Sequence, residues 1–167
     1  MNSAVDAAAP ARGSGRDNPW LTLAAVALGV MMVGLDGTVV GVANPTIAAD
    51  LDASLAGLQW VTNGYLLALA VLLIVGGKLG DRFGRKKIFI IGIVGFALTS
   101  LLCALAPSIG VLVAARVLQG VAGALLMPNV LSLISVLYTG ADRLKALSAY
   151  GMVMGVAAAG GQLIGGV

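Results

Sequence analysis

A chain of 167 residues that is 59% hydrophobic and 10% charged, with a mean hydropathy of +1.02, has too little polar surface for a water-soluble domain. Its net charge of +3 does not point to nucleic acid, because the basic residues fall between apolar runs and no separate basic domain carries them. With no histidine and a single cysteine, Cys103, an intrachain disulfide and a Cys/His zinc cluster are excluded. Gly77-Lys78 lacks the upstream glycine and following hydroxyl of a nucleotide phosphate cradle, so no metal, no cofactor and no enzyme chemistry is expected. The class is all-α integral membrane, and at about 20 residues per span the length allows about five transmembrane helices.

Residues 1 to 19 are Ala-rich, with Pro10, Gly13, Gly15 and Pro19, and cannot build a core; a disordered cytoplasmic tail is expected. The apolar run that follows Arg12 and Arg16 exceeds a signal-peptide core and lacks a cleavage site, so it reads as the first retained span. That span is expected over about 20–43, anchored by Trp20 and ended by Asn44-Pro45, with Asp36 inside it. A second span, about 58–77, carries Trp60 and Tyr65 in its first two turns, and Gln59, Thr62, Asn63 and Tyr65 there line a polar vestibule or sit at the interface.

The stretch Gly77-Lys78-Leu79-Gly80-Asp81-Arg82-Phe83-Gly84-Arg85-Lys86-Lys87 holds six of the seventeen charged residues and three glycines. Between two uncharged runs it reads as a short cytoplasmic turn. Spans three, about 88–106, and four, about 109–138, are separated by little more than Pro107-Ser108. Cys103 is expected to be a small packing residue, and Pro128 invites a kink in span four. Asp142-Arg143-Leu144-Lys145 then leads into span five, about 146–167. Glycines spaced by four, namely Gly37 and Gly41, Gly151 and Gly155, and Gly161 and Gly165, are expected to permit close helix packing.

Nine of the ten Lys and Arg residues fall on one side of this arrangement, which places the N-terminus in the cytoplasm of a cell with its multi-pass chain in the plasma or inner membrane. The tenth, Arg116, lies within a span, as does Asp36. Each such charge costs about 2.5 to 3.5 kcal/mol at a helix centre on insertion scales, so something must compensate. Counted from Asn44 and Ser108, both lie about 12 Å from the outer ends of their spans, at similar depth, and a direct or water-bridged pair is geometrically allowed. Gln119, Gly120 and Gly123 extend Arg116 into one polar face suited to a neighbour or cavity, not lipid. A static structural pair and a working site in a wet cavity are both compatible with this pattern. In such a cavity, burial disfavours a carboxylate's charge and a nearby guanidinium favours it, so opening and closing can move a proton.

Four motifs resemble those of the major facilitator superfamily, and within it the drug:proton antiporters with fourteen spans. Gly77 to Lys86 resembles the signature loop between the second and third helices, and Leu35-Asp36-Gly37-Thr38-Val39-Val40 with Ala43-Asn44-Pro45 the first-helix motif of the drug exporters. Arg116-Val117-Leu118-Gln119-Gly120 is similar to the fourth-helix proton-coupling motif. Gly161-Gln162-Leu163-Ile164-Gly165-Gly166 is similar to the fifth-helix antiporter motif, with Gln162 where that motif usually has proline. Gly41 and Asn44 also depart from the first-helix pattern, which usually has asparagine and an apolar residue there.

The resemblance implies a proton-coupled secondary transporter that exports small amphipathic compounds or drugs by alternating access, as in multidrug efflux and antibiotic resistance. Asp36 would take the proton or a cationic substrate, with Arg116 and Gln119 beside it. Gly77, Asp81, Arg82, Gly84, Arg85 and Lys86 would form the conformational gate. Gly161, Gln162, Gly165 and Gly166 would form the antiporter helix. The family's six-helix halves are built from three-helix repeats, so residues 20–167 are expected to be an incomplete N-terminal half, a fragment missing its C-terminal transporter half. Its expected partners are the lipid bilayer, protons and a small-molecule substrate, and no nucleic acid. A nutrient or metabolite symporter, and a non-transporting membrane remnant or scaffold, are the alternative readings.

Overall fold

The computed structural model describes residues 19–165, with side chains from Ala24 to Leu163. The expected tail, Pro19 apart, and Gly166 lie outside the described residues. Five helices follow one another: α1 Pro19–Asp50, α2 Leu55–Phe83, α3 Arg85–Ala104, α4 Ile109–Leu137 and α5 Gly140–Gly165. All five are long and apolar enough to cross a membrane, and the described residues contain no strand.

The helices differ from the expected spans chiefly at the links. Asn44-Pro45 does not end α1, which continues to Asp50 and closes with Leu51 N–H donating to Ile47 and Ala53 N–H to Ala48, both at 3.1 Å. Proline removes a single ladder bond, that to the Gly41 carbonyl, and an apolar environment favours keeping all the others. Asp52 then takes a left-handed φ of 47°, tolerated by aspartate, and Ser54 caps α2 by accepting from Gly57 N–H at 3.2 Å.

The basic stretch expected as a turn is almost wholly helical. Gly84 alone breaks it, ending α2 and starting α3 at φ 98°, a conformation open to glycine and strained for other residues. At the opposite end of α3, Ser108 caps α4 through Val111 N–H, as a link of little more than Pro107-Ser108 requires.

Helix α4 is central. Half of its apolar span is buried, against 17–28% for the other four helices, and it lies against α2 and α3 along its length. Helix α1 packs mainly on α5, and its Val26, Val30 and Val33 join an apolar cluster with Phe89 of α3 and Val130, Leu133 and Ile134 of α4. The molecule is thus a tight α2–α3–α4 trio and an α1–α5 pair. Close approach within the trio depends on glycine: a side chain at Gly76 would run into the Ala124 carbonyl of α4, and one at Gly80 into Asn129. The glycines singled out by spacing behave otherwise, since Gly37, Gly41, Gly151 and Gly155 face open space while Gly161 is pressed against a neighbour.

Candidate functional site

Beside their shared apolar cluster, α1 and α4 are bridged by charge. Arg116 donates from Nη1 to Asp36 Oδ2 at 2.6 Å, with the arginine side chain 2% and the aspartate 11% exposed. Gln119, one turn further along α4, completes a ring: its Oε1 accepts from Arg116 Nη1 at 2.6 Å and its Nε2 donates to Asp36 Oδ1 at 2.8 Å. Both carboxylate oxygens therefore have a donor. Asp36, Arg116 and Gln119, expected to act together, are brought together.

Helix α2 holds Arg116 from behind. Nε donates to the Val61 carbonyl at 3.2 Å, and the guanidinium lies 4.4 Å from the centre of the Tyr65 ring. Gly120 makes this possible, because a side chain there would collide with the Tyr65 carbonyl. Cys103, expected only to fill space, donates from Sγ to Gln119 Oε1 at 3.6 Å. Tyr65 and Cys103 thus join the site, and no sequence pattern marked either of them for it.

The arrangement has a chemical consequence. Arg116 keeps the Val61 carbonyl, the Tyr65 face and Gln119 Oε1 whatever happens on α1. Asp36 is the one member carried by α1. Neutralising its carboxylate by a proton removes the charge attraction between α1 and α4, leaving weaker neutral contacts beside the apolar cluster that the helices share.

Residue Gly161 of the expected antiporter motif sits beside this site. A side chain there would meet Thr38 and the Leu35 carbonyl, the residues flanking Asp36 on α1, so Gly161 lets α5 approach the carboxylate's own turn. Gln162 is exposed. Of the expected vestibule, Gln59, Thr62 and Asn63 line a groove of about 420 Å³ with Asn44 and Pro45, while Tyr65 turns away to Arg116. Asn44 Oδ1 is buried there and has no hydrogen-bond partner among the described residues.

The signature stretch is remote, Asp81 lying twenty residues, about 30 Å, along α2 from Val61. Asp81 Oδ1 accepts from Arg85 Nη2 at 2.9 Å and Nε at 3.1 Å, and Arg85 Nη1 makes a long 3.5 Å bond to the Ser132 carbonyl of α4. The Arg82 guanidinium stands 5.3 Å from the Phe83 ring centre, and Gly77 lies against Pro128. Sequence reasoning missed Asn129, which is 1% exposed and donates to the Leu125 carbonyl at 2.7 Å and across to Gly76 at 3.2 Å. A polar amide inside an apolar span, directly after Pro128, was the signal for it.

The chain matches the family model described as Major Facilitator Superfamily over residues 26–167. It is 52% identical over 158 residues, 95% of its length, to the tetracenomycin C resistance and export protein of Streptomyces glaucescens. It is 46% identical over 89% of its length to the puromycin resistance protein of Streptomyces alboniger. To the multidrug efflux pump LfrA of Mycolicibacterium smegmatis it is 43% identical over 88% of its length. The matches cover 29%, 30% and 29% of those proteins, so the chain spans under a third of the length of these relatives.

Proposed function

Since this chain belongs to the major facilitator superfamily and is a multi-pass membrane protein, we propose that it forms part of a longer transporter exporting small amphipathic compounds in exchange for protons by alternating access. The observation that carries this reading is the buried Asp36–Arg116–Gln119 ring, in which one carboxylate links two groups of helices. Protonation of Asp36 releases the link and deprotonation restores it. Arg116 biases the choice between proton and cationic substrate by supplying a competing positive charge at 2.6 Å. That relatives are named for tetracenomycin C, puromycin and multidrug efflux supports export of amphipathic drugs.

In this reading the N-terminus and the α2–α3 junction are cytoplasmic, which the distribution of Lys and Arg supports. Asp81 and Arg85 hold one conformational state, with Arg82, Lys86, Gly77 and Gly84 shaping the junction and the missing C-terminal half supplying the opposing surface. Gly161, with Gln162, Gly165 and Gly166, sets how closely α5 follows α1 during the cycle. Expression of the full-length protein in cells lacking their own efflux pumps tests the reading. Lower accumulation of a fluorescent lipophilic cation, restored by a protonophore, is expected; unchanged accumulation, or uptake in place of export, contradicts it.

A further inference from the structure

The ring of Asp36, Arg116 and Gln119 has a fixed polarity. Either end of an amide can face a neighbour, but a guanidinium carries donors only, so the Gln119 atom 2.6 Å from Arg116 Nη1 is the oxygen. The nitrogen is then the atom 2.8 Å from Asp36 Oδ1, where it donates. A proton added to this carboxylate cancels its charge and takes up a lone pair on an oxygen that already faces a donor, from Arg116 on one side or Gln119 on the other. Turning the amide over would offer that proton an acceptor, but would set Nε2 against the donor-only guanidinium. The orientation of one amide therefore bears on how readily Asp36 takes a proton.

A third helix holds that orientation. Cys103, in the last turn of α3, donates from Sγ to the same Gln119 Oε1 at 3.6 Å, so the oxygen's two lone pairs are taken by donors from α4 and α3. This hold lies within the α2–α3–α4 trio and does not pass through α1, the helix that carries Asp36. We propose that Cys103 is a positioning residue for the proton step: with Arg116 it keeps the Gln119 nitrogen turned to Asp36, and so sets the pH range in which transport is driven. The proposal rests on the reading of Asp36 as the proton-carrying group. The other titratable or charged groups around Asp36 are Arg116 from α4 and Tyr65, against the guanidinium, from α2. On α5 the nearest in sequence to Gly161 is Tyr150, eleven residues or about 16 Å before it, and on α1 the next is Asp50, fourteen residues or about 21 Å beyond Asp36.

The pH profile of substrate-driven proton movement, measured in proteoliposomes carrying the full-length protein, tests this. Cys103→Ala and Cys103→Val both remove the donor, so the fixed amide favours the charged carboxylate less. Each should move the midpoint of the profile to higher pH by about 0.4 unit, the equivalent of one average hydrogen bond in a membrane helix bundle. Alanine is smaller than cysteine and valine larger, so a packing role would separate the two variants and lower the rate at every pH without moving the midpoint. Gln119→Met should shift the midpoint further, and Cys103→Ala should add nothing to it, because the thiol acts through the amide. An unmoved midpoint in both Cys103 variants, or a Cys103→Ala shift that adds in full to that of Gln119→Met, overturns the proposal. If the midpoint stays while Asp36→Asn abolishes the exchange, the positioning role alone fails; if Asp36→Asn keeps the wild-type profile, the reading of Asp36 fails and the proposal with it.

Discussion

Asp36 of α1 and Arg116 of α4 meet at 2.6 Å, a charged contact between two helices that otherwise meet through the apolar cluster of Val26, Val30, Val33, Val130, Leu133 and Ile134. The pair, closed into a ring by Gln119, is therefore as much a fastener between two groups of helices as a compensation for buried charge. Removing one member leaves the other uncompensated, and breaking a buried pair from one side costs about 3–5 kcal/mol. Arg116→Leu should accordingly destabilise the protein strongly and Asp36→Asn less, because asparagine retains hydrogen bonds to Gln119 and the guanidinium. A thermal-melting series that includes Asp36→Asn/Arg116→Leu should show the double variant recovering part of the loss of Arg116→Leu alone. Strict additivity would mean that the two side chains do not interact.

At the other end of α4, Gly80 of α2 lies directly against Asn129. Gly80→Ala should lower stability more than Asn129→Ala, since a new methyl group collides where the lost amide only gives up bonds to Gly76 and Leu125, worth about 0.6 kcal/mol each on average in a membrane helix bundle. Combining the two should relieve the clash. A double variant less stable than Gly80→Ala would show that the crowding arises elsewhere.

Gly161 and the pair Gly151 and Gly155 share helix α5 and differ in surroundings. Gly161→Val should push α5 from α1 and lower transport, because the space is taken by Thr38 and the Leu35 carbonyl. Gly151→Ala and Gly155→Ala, which face open space, should be neutral or slightly stabilising, by up to about 1 kcal/mol through helix propensity. Melting temperatures and export rates of the three variants check this, and equal sensitivity at all three positions would contradict it.

Asn44 Oδ1 is buried with no donor among the described residues. An unmet acceptor costs about 1–3 kcal/mol, so Asn44→Val should raise the melting temperature. A loss of stability would show that the amide is satisfied by a group from outside the described residues or by water.

Much of this architecture could be read from the sequence because a bilayer enforces simple rules. Apolar length located five helices, and the cost of a buried charge marked Asp36 and Arg116 as groups that need compensation, at depths that allow but do not require the pair they form. What hydropathy could not locate was where helices end, since a helix continues into water when its hydrogen bonds are met. Hence α1 runs through Pro45, and the basic stretch is helical except at Gly84. Nor does glycine spacing say which face meets a neighbour: Gly76 and Gly80 are four apart, as are Gly37 and Gly41, and only the first pair touches another helix. Tyr65 and Cys103 join the site through contacts between α2, α3 and α4 that no local pattern encodes.

The central claim is that Asp36 carries the proton that drives transport. Proteoliposomes containing the full-length protein and a trapped pH indicator provide the direct measurement, as the proton flux that follows addition of a transported compound. The wild-type protein should move protons against the compound's direction, and Asp36→Asn should abolish that movement while compound binding persists. Coupled flux of wild-type size in Asp36→Asn would contradict the account.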